Sequence, residues 1–471
     1  MAPDSLPWRY ASIEQLSQAL RGGRVSSEEL AEQAAAGLEQ LVRPLNGVAS
    51  LVTERARNEA RAADRRLHEG EAPMLCGVPY GAKDIFAAKG ELTTWGSPAF
   101  SSQRLNFDAT TVRRLSRAGS VLTAKLTSVE LAGAGRPARW GSSLHGQGRN
   151  PWDPRRYSGG SSSGPGIAVA LGVLPFALAT ETGGSILAPS AFCGVTGLRP
   201  SFARVPTHGV MALSRSLDKV GVIARSAEDC AHVLTVMAPS RGTSPDQAGS
   251  RPTIGIPRGA IDEVEASMRP AVAGAIQVFG ESIARVVTID LWADEPFAQW
   301  LDTIMNAEAS WEFRQHLGRP EFSMTDERAL STMRDGLRIP AVQYLEARAG
   351  QRRTRHLFRS LFEGVDYVMT ASQPRLPPAL DEPAGPRTSA TSSDLLKNAG
   401  NLAGAPAVAF PCGLAETGLP VGMQLVGPRG SDESLLRLVN AYQRHTGFHD
   451  LRPPDQPMSR PAAARAAAAN A

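Results

Sequence analysis

The sequence has little cysteine and no recognisable metal-ligand pattern. Its 471 residues include four cysteines, which are scattered along the chain: Cys76, Cys193, Cys230 and Cys412. We expect them to be buried, reduced side chains in a reducing compartment. The eight histidines form no HExxH motif and no pair at ligand spacing. The sequence therefore predicts neither a bound metal nor a cofactor.

Targeting segments and strong charge are also missing. Residues 1–8 have neither the basic nor the apolar region of a signal peptide, and no apolar run is long enough to span a bilayer. We therefore expect a cytoplasmic protein that does not bind membranes. The net charge is only +4, and no basic run with interleaved aromatic residues occurs. Nucleic-acid binding is accordingly not predicted.

What the sequence does contain is the pattern of a large α/β protein. Ser12 followed by Gln15 is a capping-box pattern, which is typical of a helix N-terminus. Ser26 followed by Glu29 repeats it, and residues 55–68 continue as a polar helix. Further helices are predicted at residues 110–118, 227–237 and 433–445. Strands that alternate with helical segments are predicted at residues 120–125, 174–179, 220–224, 253–257, 366–370, 406–411 and 421–427.

The composition also divides the chain into segments. We expect one domain over residues 1–452, followed by a mobile tail rich in proline and alanine at residues 453–471. A polar connector is predicted around residues 239–252. The domain is expected to consist of a helical part at residues 1–70, a core with the chemical motifs at 71–238, a variable, substrate-shaping helical region at 253–363 and a completion of the core at 366–452.

A lysine and two clusters of glycine and serine carry the candidate chemistry. Lys83 lies in a small, apolar setting, and the clusters read GGSSSG at residues 159–164 and TETGGSI at residues 180–186. A serine hydroxyl is a poor nucleophile until a base takes its proton, and a lysine can do so when burial keeps it neutral. Asp84 does not prevent this, because on an extended segment its side chain points to the opposite face. These are the parts of a nucleophilic hydrolase without a histidine base.

The two clusters allow different contributions to such a reaction. A second serine between lysine and nucleophile would relay the proton, and general-base assistance contributes roughly 10²- to 10⁴-fold. The small residues at 182–185 allow backbone N–H groups to converge on one point as an anion-binding nest. An oxyanion formed at Ser185 would lie there, where one donor contributes roughly 10²- to 10³-fold.

The order of these motifs resembles the amidase signature family. The family patterns are GGSSxG, GTDxGGSIRxPA and CGxxGxKPT, and their counterparts lie at residues 159–164, 180–190 and 193–201. The resemblance covers residues 12–238 and resumes at 366–448. It includes further matches at residues 149–154, 216–221, 401–406 and 418–424.

The resemblance implies a fold and a mechanism. The fold would be α/β, an α/β/α sandwich around a large mixed sheet. Ser185 would be the acyl-enzyme nucleophile, Ser161 the bridging serine after a cis peptide bond, and Lys83 the base. The oxyanion hole would be formed by the amides of Thr182, Gly183, Gly184 and Ser185. Such an enzyme is an amidase, a hydrolase that cleaves C–N bonds next to a carbonyl and also cleaves esters.

The substrate is described only by class. The resemblance implies a small amide, aryl amide, carbamate (urethane) or ester, and a monomer or homodimer. The family arginine two places after the nucleophile is Leu187 here, which we interpret as the loss of a cation beside the nucleophile. We therefore expect uncharged amides. The usual aspartate before the glycines is Glu181 or Thr182, depending on the alignment.

Two further residues are candidates for substrate binding. Arg204, in the loop that follows the last motif, would supply a cation in place of the missing one, or is a structural arginine. Gly133, within the segment at residues 130–135, is expected to line the site and to leave room for a bulky group.

Three alternatives remain open. Residues 160–164 read GSSSG, the GxSxG pattern of a nucleophile elbow, which would make Ser162 the nucleophile with His208 or His445 as base. An elbow should follow a strand, whereas residues 150–157 are rich in proline and arginine. The A subunit of a glutamyl-tRNA amidotransferase shares the motifs but works with partner subunits, and Leu187 argues against it, because glutamine has an α-carboxylate to bind. The third alternative is a non-catalytic binding module.

Overall fold

The computed structural model describes residues 6–70, 72–238, 251–319 and 322–454. Most of the connector predicted at residues 239–252 and of the tail predicted at residues 453–471 lies outside these ranges.

A single mixed sheet organises the described residues. Its eleven strands are β1 (Val48–Leu51), β2 (Pro79–Lys83), β3 (Val121–Leu126), β4 (Phe176–Glu181), β5 (Thr196–Arg199), β6 (Lys219–Ala224), β7 (Thr253–Pro257), β8 (Arg285–Ile289), β9 (Tyr367–Ala371), β10 (Ala407–Leu414) and β11 (Pro420–Val426). Their order across the sheet is β1-β3-β2-β4-β6-β5-β10-β11-β9-β7-β8. Strand β2 runs parallel to both β3 and β4, whereas β4 and β6 are antiparallel.

Helices cover both faces of the sheet. Those in the described ranges are α1 (Ile13–Arg21), α2 (Ser27–Gly37), α3 (Thr53–His68), α4 (Thr110–Arg117), α5 (Ser163–Ala170), α6 (Leu187–Cys193), α7 (Ala227–Met237), α8 (Arg269–Val278), α9 (Phe297–Leu317), α10 (Glu327–Gly336), α11 (Ala341–Gly364), α12 (Ser392–Ala403) and α13 (Asp432–Thr446). Helices α1 and α2 begin at the predicted capping boxes, whose reciprocal hydrogen bonds are both present. The architecture is the expected α/β sandwich.

The central strands show why two helical layers are needed. Every residue of β4 is buried. Successive side chains of a strand point to opposite faces, and β4 divides accordingly. Phe176 and Leu178 belong to one hydrophobic cluster, and Ala177 and Ala179 belong to another. A strand with both faces apolar must be covered on both sides.

Some elements of the fold were not predicted from the sequence. Strands β1 and β5 contain only four residues each, too few for a clear alternation of apolar and polar side chains. Strand β8 lies within the section predicted to be mostly helical, at the edge of the sheet beside β7. Helix α5 lacks the polar face that marks a surface helix, whereas α12 has polar residues at helical spacing and is buried all the same. Every residue of α5 is buried, and so is every residue of α12 except Asp394.

All four cysteines are buried and free. In the described part of the chain, no helix combines the length and apolar character needed to cross a membrane. Within the same residues, no group of three or more His, Cys, Asp or Glu side chains is placed to hold a metal ion.

Candidate active site

The candidate site lies where neighbouring strands of the sheet end. Lys83 is the last residue of β2, and Glu181 is the last residue of β4. Because β2 and β4 are parallel neighbours, their carboxyl ends meet at one edge of the sheet. The parallel pairing thus brings Lys83 to the turn that follows β4, which contains Ser185.

Lys83 is fully buried and hydrogen-bonded to hydroxyl groups. Its Nζ lies 2.8 Å from Ser161 Oγ and 2.9 Å from Thr180 Oγ1. Asp84 points away from it, as predicted, and its carboxylate accepts a 3.0 Å hydrogen bond from the buried Lys125. Among the described residues, no carboxylate is hydrogen-bonded to Lys83 to hold it in the charged form.

Burial lowers the pKa of Lys83 to about 7, although the more distant carboxylates of Asp218 and Glu181 act in the opposite direction. A neutral amine has a lone pair, so Nζ can accept the proton of Ser161 while it donates to Thr180. The arrangement suits a general base that operates near neutral pH.

Ser161 is held by the segment that follows β3. Its carbonyl accepts a 3.0 Å hydrogen bond from Val129 N, and Gly164 N donates to Thr127 O over 2.9 Å. The peptide bond between Gly160 and Ser161 is cis, as the resemblance implied. A third strand end thereby fixes the serine that contacts Lys83.

The turn around Ser185 is anchored by a buried carboxylate. Glu181 Oε2 accepts hydrogen bonds from Ile186 N at 2.8 Å and Leu187 N at 3.0 Å. Its other oxygen is 2.9 Å from Arg199 Nη1, and both side chains are completely buried. Burial opposes the ionisation of Glu181, but Arg199 and these amides hold its pKa below the usual value. Ser185 itself is partly exposed, so a substrate can reach it.

The backbone amides of the turn fit an oxyanion hole. None of the described residues accepts a hydrogen bond from the N–H groups of Gly183, Gly184 or Ser185. Thr182 is fixed by its side chain, which donates a 2.5 Å hydrogen bond to Asp218 Oδ1. Amides without an acceptor beside a nucleophile are available to a developing oxyanion.

The family comparison agrees with this geometry. The family model described as Amidase matches residues 29–436. The chain belongs to the amidase family. The match also includes residues 253–363, where the sequence motifs had shown no resemblance.

Individual relatives point to more than one activity. The chain is 34% identical to the A subunit of the glutamyl-tRNA(Gln) amidotransferase of Cupriavidus necator, over 94% of this chain and 98% of that protein. It is 30% identical to a solved amidase, with a TM-score of 0.82, over 92% of this chain and 99% of that one. A third relative, solved as part of a vestigial protein complex bearing on the origins of an s-triazine catabolic enzyme, is 29% identical with a TM-score of 0.81, over 94% of this chain and 100% of that one.

The structure corrects the interpretation of Leu187. Its side chain is fully buried in the main hydrophobic cluster. The position of the family aspartate is taken by Glu181 rather than Thr182, since Glu181 holds the turn. The cation that pairs with this carboxylate is Arg199. The burial of Leu187 therefore removes the basis for inferring the charge of the substrate from this position.

The two predicted substrate-binding residues differ in their surroundings. Arg204 donates a 2.8 Å hydrogen bond to Glu433 on α13, which favours the structural interpretation of this arginine. Gly133 ends a short 3₁₀ helix, Glu130–Gly133, and a Cβ atom added to it would meet nothing within 4 Å. Its neighbour Ala132 lines a cavity that also includes Thr182. A role for Gly133 in the substrate site stays a prediction.

The nucleophile-elbow alternative finds no support in the geometry. Ser162 is fully buried, and its hydroxyl donates to the carbonyl of Thr180 over 3.3 Å. No strand leads into it, because the strand before it in the chain is β3 and a long loop intervenes.

Several residues of the site were missed by sequence reasoning. Thr180 and Asp218 lie inside motifs that were recognised, but nothing in the pattern showed that one would contact Lys83 and the other Thr182. Arg387 Nη1 donates a 2.8 Å hydrogen bond to the carbonyl of Gly183. It lies beyond the last proline of a loop, and no sequence signal marks it.

Proposed function

We propose that this protein cleaves the C–N bond of an amide, next to the carbonyl group, through an acyl-enzyme on Ser185. The observation that carries the proposal is the 2.8 Å contact between the buried Lys83 Nζ and Ser161 Oγ, at the strand end that adjoins the Ser185 turn. A buried, neutral lysine and a serine relay provide the base that a serine nucleophile needs.

The steps of the reaction follow from these positions. Ser161 passes its proton to Lys83 and takes the proton of Ser185, whose Oγ bonds to the substrate carbonyl carbon. The carbonyl oxygen becomes an oxyanion, which the free amides of the turn stabilise. When the C–N bond breaks, the proton held by Lys83 returns through Ser161 to the leaving nitrogen. A water molecule then releases the acid by the same route, and Ser185 regains its proton.

Two functions use this chemistry, and they differ in what receives the leaving nitrogen. A stand-alone amidase releases it to water, as the similarity to solved amidases supports. The A subunit of an amidotransferase would release ammonia for a partner subunit. The identity of 34% to such subunits over nearly the whole chain favours this second candidate. The argument raised against it from Leu187 does not hold, since that side chain is buried.

The amidotransferase candidate changes the expected partners. It implies protein subunits and a tRNA-linked substrate, whereas the main prediction from the sequence was a monomer or homodimer that does not bind nucleic acid. Carbamates and aryl amides remain candidate substrates of the stand-alone enzyme. The stand-alone amidase and the amidotransferase subunit differ in one property, the release of ammonia or an amine from an uncharged amide by the isolated chain.

The first experiment tests the shared chemistry. The protein is treated with an alkyl fluorophosphonate, and the modified peptide is identified by mass spectrometry. We expect the label on Ser185, and no label in Ser185→Ala or Lys83→Met. A label on Ser162, or unchanged labelling of the Lys83 variant, would contradict the proposed mechanism.

The second experiment separates the two candidates. Ammonia release is measured with the isolated chain on glutamine and on a panel of neutral primary amides, and amine release is measured on aryl amides and carbamates. The stand-alone amidase predicts turnover of a neutral amide by the chain alone. The amidotransferase candidate predicts hydrolysis of glutamine that increases when the partner subunits and charged tRNA are added, with little turnover of neutral amides.

A further inference from the structure

The oxyanion turn contains two carbonyls that are held in different ways. The carbonyl of Gly184 accepts a 2.9 Å hydrogen bond from Ala188 N, in the first turn of α6. This contact is local. The carbonyl of Gly183 instead accepts a 2.8 Å hydrogen bond from Arg387 Nη1, which is 204 positions away in sequence.

Arg387 is itself held by the variable helical region. Its Nε donates a 2.8 Å hydrogen bond to Asp302 on α9, and only 16% of its side chain is exposed. Arg136 Nη1 contacts the other oxygen of Asp302 at 2.7 Å. Asp302 therefore links two guanidinium groups, of which only that of Arg387 contacts the oxyanion turn.

The glycine at position 183 allows this contact. A Cβ atom at Gly183 would lie 3.0 Å from Arg387 Nη2 and 2.9 Å from Nη1, and the latter distance is closer than real Cβ atoms approach other atoms. Any side chain at this position would displace the guanidinium. The close approach of Arg387 is thus built into the turn.

Peptide geometry connects this contact to the reaction. In a trans peptide, the C=O and N–H groups point in opposite directions, and the only cis bond in the described residues is the one before Ser161. A carbonyl of Gly183 that points to Arg387 directs the N–H of Gly184 to the other side. That N–H has no acceptor among the described residues.

We propose that Arg387 is a positioning residue for the oxyanion hole, which orients the N–H of Gly184 by holding the carbonyl of Gly183. The inference rests on the proposed function, and extends it by assigning a part to the variable region, whose Asp302 fixes Arg387. The guanidinium charge also polarises the peptide, which strengthens its N–H as a donor. A lysine has no planar fork and cannot hold Gly183 and Asp302 in the same way.

The test uses the full chain, 4-nitrophenyl acetate as substrate and phenylboronic acid as inhibitor. The boronic acid forms a tetrahedral adduct on a serine, and one of its oxygens takes the place of the oxyanion. We expect Arg387→Met to lower kcat roughly tenfold to a hundredfold, a part of what the loss of a whole donor removes. The inhibition constant of phenylboronic acid should rise by the same factor, while KM changes less than about twofold. Arg387→Lys should be intermediate.

Arg136→Met is the matched control, because it also removes a guanidinium from Asp302 but leaves Gly183 untouched. We expect it to keep kcat and the inhibition constant of the unmodified protein. If kcat falls in Arg387→Met while the inhibition constant stays the same, the proposal is overturned. A smaller fraction of active protein would lower the apparent kcat in this way without any change in the oxyanion hole. A higher KM with unchanged kcat would also overturn it, in favour of direct substrate binding. If the unmodified protein neither hydrolyses the ester nor is labelled at Ser185, the proposed function itself fails.

Discussion

The behaviour of Lys83 shows how an environment decides the role of a residue. Small, apolar neighbours in the sequence predicted that this lysine would be buried. The structure adds two acidic side chains, Asp218 and Glu181, whose charges favour the ammonium form and oppose the effect of burial. The effect of burial is larger, because no carboxylate of the described residues is hydrogen-bonded to Nζ. The result is a lysine that changes its protonation state near neutral pH.

This balance predicts the pH dependence of activity. The neutral form of Lys83 is the base. Since the pKa of Lys83 is about 7, this form predominates above neutral pH. We expect kcat/KM to rise about tenfold per pH unit well below pH 7 and to level off above it. Lys83→Met should abolish turnover without unfolding the protein. A rate that does not change between pH 5 and 8 would contradict this role.

Asp218 offers a second test of the same balance. Burial raises the pKa of Asp218 to about 6, so the carboxyl group is ionised where Lys83 titrates. Its negative charge raises the pKa of Lys83. Asp218→Asn should therefore move the midpoint of the pH–rate profile to lower pH, whatever it does to kcat through Thr182. A midpoint that stays in place or moves upward would show that this charge is not felt by the base.

At the scale of elements, the helical region at residues 253–363 is built around the packing of α9 on α11. Its helices were expected from the sequence, but the contact between them was not. Gly350 on α11 faces the ring of Trp300 on α9 so closely that an added Cβ atom would overlap the ring. The glycine thus sets the distance between the two helices, and α9 carries Asp302 to Arg387.

A pair of glycine substitutions tests this packing. Gly350→Ala should destabilise the protein by about 1–3 kcal/mol, because the ring or a helix must shift. Gly274→Ala, within α8, is the matched control, since nothing lies within 4 Å of the new methyl group. There we expect a gain of roughly 0.5–1 kcal/mol from helix propensity. Urea unfolding of both variants measures the difference, and equal effects would contradict the packing argument.

On the scale of the whole molecule, the sheet gathers buried charges at one edge. Lys83 and Lys219 are completely or almost completely buried, and burial lowers the pKa of each to about 7. Lys219 donates a 2.8 Å hydrogen bond to Asn401, whose side chain in turn donates to Glu181. Burial of these lysines therefore costs folding free energy at the pH where they would be charged in the unfolded chain. One of them, Lys83, is the base at the end of β2.

The penalty should be visible as a pH dependence of stability. In the unfolded chain, each lysine keeps its proton up to about pH 10.5, whereas in the folded protein it loses the proton near pH 7. Between these values the unfolded state binds more protons, so the free energy of unfolding rises with pH. Each lysine adds up to about 1.4 kcal/mol per pH unit. Denaturant titrations between pH 7 and 10 measure the slope.

Lys83→Met should reduce the slope of the unfolding free energy against pH by up to about 1.4 kcal/mol per pH unit. Lys89→Met, at an exposed position, is the control and should leave this slope unchanged. A slope that is identical in all three proteins would show that Lys83 is charged in the folded state throughout this range.

The sequence by itself determined the family, the α/β layering and the candidate triad, because these depend on short, contiguous patterns. Capping boxes define α1 and α2, and the glycines beside Ser185 mark a turn in the local sequence. Other features depend on which distant side chains meet in the folded chain. The burial of Leu187 and the contact of Arg387 with Gly183 are of this kind. Only the tertiary structure decided them, since the pairing of buried polar groups is set by the packing of the whole sheet and leaves no local pattern.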